Sequence, residues 1–220
     1  YDPPFDTDAI IIQEFAVDWD TPGNSTFTVA QVIDLADIGL ALDSNMCGYG
    51  RNCIPQPDTS QGLDALSSRF MFKLLYRNFG EYETLVTSHT VDENGADHAG
   101  VRWYEVRKVE GTWDVEQGAT YAPDDDNRWM GDLAMDASGN IAVGYSIASA
   151  TTYAGIRYAG RLAGDPLGTL AQGEESIIEG SGSQLGTGAR WGDYSTMSVD
   201  PVDDCTFWYT QEYLELTGTA

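Results

Sequence analysis

The residues best placed to do chemistry recur along this sequence. Among the places where an arginine precedes an aromatic ring, Arg69-Phe70, Arg128-Trp129 and Arg190-Trp191 form a series at spacings of 59 and 62. A planar guanidinium grips a carboxylate through two parallel hydrogen bonds, so three of them brought to one point would hold an acidic group. The competing reading is structural: an arginine repeated in every unit clamps neighbouring units or the start of a strand. Arg102 and Arg157 recur as well and take the same clamp reading. The acidic runs Asp124-Asp125-Asp126 and Asp92-Glu93-Asn94-Gly95-Ala96-Asp97 offer the hard oxygen ligands that calcium prefers. Neither has the spacing of an EF-hand loop, and solvated acidic surface is the simpler account. Calcium is the one cofactor these residues would hold, and none is required. Cys47 and Cys53 flank five residues, a span a disulfide can close. Zinc is disfavoured, because the only two histidines, His89 and His98, lie far along the chain without ligand spacing. A disulfide implies an oxidising compartment. Cys205 is left over, either buried in a strand or paired outside this chain.

The elements that must position these residues follow from the same repetition. Ala99-Gly100-Val101-Arg102-Trp103 returns as Ala154-Gly155-Ile156-Arg157-Tyr158, and Glu116-Gln117-Gly118 as Ala171-Gln172-Gly173, both 55 residues on. Leu133-Ala134-Met135-Asp136 is matched by Met197-Ser198-Val199-Asp200. Markers in constant order at near-constant spacing define a repeated structural unit. Each unit reads as four short strands rich in β-branched and aromatic residues, separated by Gly, Asn, Asp and Pro turn clusters. In one unit the strands are expected at Met71 to Tyr76, Glu83 to Val91, Gly100 to Arg107 and Thr112 to Glu116. In the next they are expected at Gly131 to Asp136, Ile141 to Ile147, Tyr153 to Tyr158 and around Leu170 to Gly173. No stretch of twelve residues carries a 3.6-residue apolar period, and only Asp64 to Phe70 suggests a turn of helix.

Four-stranded units of about 60 residues in series predict an all-β fold, a β-propeller of antiparallel blades. Ile10 to Trp19 and Ser25 to Ile33 read as the last two strands of one blade. Asp193 to Val199 and Cys205 to Gln211 read as the first two of another. The expected organisation is a half blade over 8–43, a Cys-containing insertion over 44–68, blades over 69–125 and 128–187, and a half blade over 190–213. About three blades do not close a ring. The remainder of a parent chain, or a second copy completing the half blades of a six-bladed ring, is therefore an expected partner. The absence of a signal peptide and of an initiating Met predicts a mature or excised segment.

Composition narrows the partners further. Eleven basic residues against 35 acidic ones give a formal net charge of −24, a surface that repels phosphate backbones and anionic lipid. No nucleic acid is expected, and no membrane insertion, since the longest aliphatic stretch is Ala9 to Ile12. Nine of the eleven cations are Arg and only Lys73 and Lys108 are Lys. Such a surface suits salty or extracellular water, where repulsion is screened within about 8 Å, or simply an acidic lineage. Asn24-Ser25-Thr26 is a glycosylation sequon. Trp103, Trp113, Trp129, Trp191 and Trp208 mostly fall at strand or repeat positions and are expected in the core, with sugar stacking the alternative for any ring that is exposed.

The turn Asp136-Ala137-Ser138-Gly139-Asn140 with the strand after it, and Ser198-Val199-Asp200 running on to Phe207-Trp208, resemble the aspartate-box hairpins of sialidase-like propellers. Asp203-Asp204 stand where that motif has Gly. In the family the aspartate caps a hairpin turn by accepting backbone N–H groups. The run Arg190-Trp191-Gly192-Asp193-Tyr194-Ser195-Thr196-Met197 is similar to secreted bacterial propeller proteins of unassigned function. The resemblance implies a secreted or cell-surface module that binds or displays, with glycan or protein ligands at the axial mouth or blade edges. It also implies an alternative, a sialidase-type glycoside hydrolase. There Arg69, Arg128 and Arg190 would hold the substrate carboxylate, Tyr194 would act as nucleophile with a Glu, and Asp132 or Asp193 would supply the acid.

Overall fold

The computed structural model describes residues 8–36, 38–40, 45–186 and 188–219. Among the described residues twelve strands carry the fold. β1 (Ala9–Ala16) and β2 (Thr26–Asp34) form a two-stranded sheet. β3 (Leu75–Asn78), β4 (Glu83–Asp92), β5 (Ala99–Val109) and β6 (Thr112–Tyr121) form a four-stranded antiparallel sheet in that order. β7 (Asn127–Met135), β8 (Ile141–Ala148), β9 (Gly155–Arg161) and β10 (Glu174–Ile178) form a second. β11 (Thr196–Val199) and β12 (Phe207–Thr210) close the series as another pair. The protein is all-β, built on antiparallel four-stranded sheets, and among the described residues no sheet closes on itself. The only helical segments described are two 3-10 turns, Pro22–Asn24 and Met46–Tyr49.

Successive sheets pack face to face, each gap filled by apolar side chains. Ile10, Ile12, Ile33 and Leu35 meet Leu85, Tyr104, Val106 and Trp113 between the first pair and the first four-stranded sheet. Val86, Val101 and Trp103 meet Leu133, Val143 and Tyr145 between the two four-stranded sheets. β7 lies in the middle of the stack and is buried along its whole length, which is why its sequence does not alternate. A bulge between Trp129 and Asp132 turns the Met130 carbonyl towards the last pair of strands. Ser195 Oγ donates to it at 2.7 Å, while Ser88 Oγ of β4 donates to the Gly131 carbonyl at 2.8 Å. Gly131 is required there: a Cβ would stand 2.6 Å from Val101 Cγ1. The insertion over 45–68 packs Met46, Ile54, Leu63 and Ala65 against Trp129 and Trp191, whose rings lie 6.4 Å apart.

The hairpin turns are capped by aspartates. Asp136 Oδ1 accepts the N–H groups of Ser138 and Asn140 at 2.8 and 2.9 Å. Asp200 Oδ1 accepts Val202 N–H at 2.8 Å, and its Oδ2 accepts Trp208 Nε1 at 2.9 Å. Asp18 ends β1 the same way, taking the N–H groups of Asp20 and Thr21 and stopping the strand short of Trp19.

Three local expectations need correction. The last strand of the second four-stranded sheet is Glu174–Ile178, not Leu170 to Gly173, which forms a turn closed by Gly173 N–H on the Leu170 carbonyl. β10 lacks an apolar pattern because ion pairs from Glu174 to Arg128 and Arg157 hold it in place. Asp64 to Phe70 is not helical. Asp64 N–H donates to the Ala189 carbonyl at 2.7 Å and Leu66 has a φ of 46°, so the segment is tied across the molecule instead. β3 starts at Leu75 rather than Met71. Met71 N–H instead reaches the Ser88 carbonyl, and the expected boundaries at 43, 44 and 187 lie outside the described residues.

Candidate functional site

Three segments converge on a polar cleft of about 390 Å³. Tyr49, Gly50 and Arg51 come from the loop closed by the Cys47–Cys53 disulfide, whose Cα atoms are 5.7 Å apart. The loop is tight: Cys47, Gly48 and Tyr49 all have φ between 49° and 61°, and Asp97 Oδ1 accepts Cys47 N–H. Asp64 to Arg69, the segment leading into β3, forms a second wall. Arg190 and Tyr194, leading into β11, form the third. The bond from Asp64 N–H to the Ala189 carbonyl holds the second and third walls together.

The cleft gathers three of the nine arginines of a chain whose net charge is −24. Arg51 is paired loosely with Asp64, Nε to Oδ2 at 3.6 Å, and its side chain is largely exposed. Arg190 pairs with Asp193 next to it. Arg69 meets no carboxylate among the described residues; its Nε and Nη2 donate to Ser68 Oγ at 3.3 and 3.2 Å. Tyr194 is half exposed and packs at a tilt on Phe72, ring centroids 5.5 Å apart. The arrangement offers one uncommitted guanidinium, two more with replaceable partners, and two phenol rings. It can take a planar anion with an apolar or sugar-like body beside it.

The expected arginine triad is divided. Arg69 and Arg190 line the cleft, but Arg128 is fully buried inside the second four-stranded sheet. Its Nε donates to Glu174 Oε2 at 2.6 Å and its Nη1 to Asp124 Oδ1 at 2.7 Å. Tyr145 Oη also donates to Glu174, and Arg157 reaches it at 2.7 Å. Burial works against the charges, yet these bonds hold the Glu174 carboxyl below its ordinary range and the Arg128 guanidinium above its own. Arg102 likewise donates within its own region, to Thr120 Oγ1 and the Leu40 carbonyl. Arg128, Arg157 and Arg102 are clamps.

The acid and nucleophile candidates are separated as well. Asp132 is buried on β7 outside the cleft, where it accepts Met197 N–H at 2.7 Å and lies 3.8 Å from Lys73 Nζ. Burial pushes its carboxyl up to about 6, against the pull of that N–H and of Lys73. Asp193 is engaged with Arg190. The cleft lining contains Tyr194 and no glutamate. Asp124 turns both carboxylate oxygens to Arg128, Asp126 Oδ2 accepts Thr152 Oγ1, and Asp125 is exposed. A cation bound by this run would compete with Arg128 for Asp124. Among the described residues, only Cys47, Cys53 and Asp97 gather closely enough to suggest a metal site, and those cysteines are joined as a disulfide.

Sequence reasoning missed Arg51 and Tyr49. Neither belongs to a repeat; the one available signal was their place inside the Cys47–Cys53 loop. The tryptophan expectation holds for Trp103, Trp113, Trp129 and Trp191, all buried, while Trp208 is 60% exposed. Cys205 is exposed with a free thiol rather than buried in a strand. No described helix is long and apolar enough to cross a membrane. No protein-family model, no curated protein and no solved structure matches the chain.

Proposed function

We propose that this chain is a segment of a sialidase-like β-propeller, secreted or displayed at a cell surface, that binds a carboxylate-bearing glycan or protein ligand in the three-arginine cleft. The observation that carries the reading is Arg69, a cation without a carboxylate partner among the described residues, facing a cleft shared with Arg51 and Arg190. In a chain this acidic, three guanidiniums at one point oppose the mean field and hold an anion more firmly than the surrounding surface would. The serial face-to-face sheets and the aspartate-capped hairpins support the propeller part of the reading. The disulfide forming one cleft wall supports an oxidising location.

Tyr194 beside Arg190 is what favours the second reading, a sialidase-type hydrolase. A tyrosine nucleophile needs a base next to it, and the cleft lining supplies no glutamate for that role. Binding without turnover is therefore preferred. The test is titration calorimetry with sialyllactose and with a glucuronate oligosaccharide, alongside a fluorogenic sialoside assay. Expected is saturable binding of an acidic sugar that weakens at least tenfold in Arg69→Gln, with no cleavage. Binding untouched by both Arg69→Gln and Arg190→Gln would overturn the assignment of the cleft. Cleavage abolished by Tyr194→Phe would transfer it to the hydrolase.

A further inference from the structure

The two-stranded sheets at the ends of the stack are complementary halves. Among the described residues β1 pairs only with β2, and β12 only with β11. β1 and β2 pack on the first four-stranded sheet, leaving the free edge of β1 beside an apolar groove of about 420 Å³. Phe72, Leu74 and Tyr76 project into that groove, all more than half exposed, and its floor is Leu85, Val106 and Trp113. The space is bounded by a strand edge and a sheet face, which is the setting for further strands rather than for a small molecule.

β11 and β12 have the matching form. One face, Met197 and Tyr209, is turned to the second four-stranded sheet, with the Tyr209 ring closed over Gly144. The other face carries Ser198 and Trp208, directly opposite one another in the ladder and both exposed. The Leu133-to-Asp136 marker ends β7, the first strand of its sheet, and its counterpart, Met197 to Asp200, places β11 first in a sheet of which two strands are described. The opposite faces of β1 and β2 leave Phe15, Phe27 and Val29 exposed, a second surface awaiting a neighbour.

We propose that two copies of this chain exchange these pieces. The β11–β12 hairpin of each copy enters the groove of the other, β12 pairs antiparallel with the second copy's β1, and Trp208 is buried among Phe72, Leu74 and Trp113. One two-fold operation satisfies both free edges and both grooves with identical contacts, the form a self-complementary dimer takes. Four sheets are already complete in the pair and two more are completed between the copies. A second copy is the occupant because the β11–β12 pair supplies the strand positions that the described β1–β2 pair leaves open. The groove bears few charges, Lys73, Glu14 and Glu83, so its contacts are apolar while the bodies of the two copies repel.

Sedimentation equilibrium of the 220-residue chain is expected to give twice the 24.0 kDa of one copy, with association tightening as salt rises and screens the repulsion. Leu74→Asp, which damages the groove, and Trp208→Asp, which damages the hairpin, are each expected to be monomeric. Mixing the two restores one intact junction and is expected to yield a heterodimer, an outcome that misfolded variants would not give. A folded wild-type monomer at tens of micromolar would overturn the proposal and leave the groove to the remainder of a longer chain. A dimer that survives both substitutions, or variants that do not complement on mixing, would overturn it equally.

Discussion

The same dipeptide has two fates in this molecule. At Arg128-Trp129 both flanking sheets are complete, and the arginine is sealed within the second sheet by Glu174 and Asp124, with Arg157 also paired to Glu174. At Arg69-Phe70 and Arg190-Trp191 the aromatic ring is kept near the stack while the arginine faces an open cleft. Repetition fixes where an arginine enters its sheet; the carboxylates contributed by other strands decide whether it clamps or binds. Among the described residues Arg69 has no carboxylate partner, and Arg190 pairs only with Asp193 three positions on.

Breaking the buried copy is the largest expected effect. Arg128→Ala leaves the Glu174 carboxylate, which also accepts the Tyr145 hydroxyl, without its principal cation in the interior and is expected to cost about 3–5 kcal/mol in chemical denaturation. Arg69→Ala removes an exposed side chain and is expected to stay within about 0.5 kcal/mol of wild type. Equal losses in the two variants would erase the distinction between clamp and ligand arginine.

Next is the disulfide, which closes the loop that forms one wall of the cleft. Its closure of a six-residue separation contributes about 2 kcal/mol through the unfolded chain. Reduction is expected to lower stability by that order and to weaken acidic-sugar binding, because Tyr49 to Arg51 lose the constraint that forms their wall. Stability falling with affinity unchanged would remove this loop from the site. The single substitution Arg69→Gln is smaller in free energy. Loss of a charge-assisted hydrogen bond is worth about 1.5 kcal/mol or somewhat more, so calorimetry is expected to read at least a tenfold weaker affinity at unaltered melting temperature.

How much of this was legible divides along the same line. The strand series and its phase could be read because β4, β5, β7 and β8 are buried runs bounded by Gly, Asn and Asp turns. β10 could not, since Glu174-Glu175-Ser176 carries no apolar alternation and is recruited by arginines 46 and 17 residues away. Within the site, Arg69 and Arg190 were visible through repetition. Arg51 was hidden, being a single residue in a loop placed by a covalent bond. Arg128 drew attention for the same reason as its two relatives, and only the three-dimensional neighbour Glu174 sets it apart.

The finest comparison between the copies is their proton binding. His89 belongs to the first: its ring lies 4.9 Å from that of Phe70, and its Nε2 is 3.2 Å from Tyr104 Oη. Burial and the nearby Arg102 charge push it down to about 3. Asp132 belongs to the second copy, in Trp129-Met130-Gly131-Asp132, and burial pushes it up to about 6. Between pH 4.5 and 6 the unfolded chain, with ordinary values of 6.5 and 3.8, protonates the histidine and ionises the aspartate. The folded chain does the reverse at both positions. His89 alone would therefore make stability fall as pH drops, and Asp132 alone would make it rise. Each contributes a slope approaching about 1.4 kcal/mol per pH unit, with opposite signs, so the two contributions offset one another across this window. Asp132→Asn removes the opposing slope and is expected to lose stability on acidification from pH 6 to 4.5. His89→Asn is expected to gain it relative to its own value at pH 6. Parallel profiles for the two variants in denaturant titrations would show that the copies do not differ in this way, while diverging ones would resolve two repeats of one motif by the sign of a single proton.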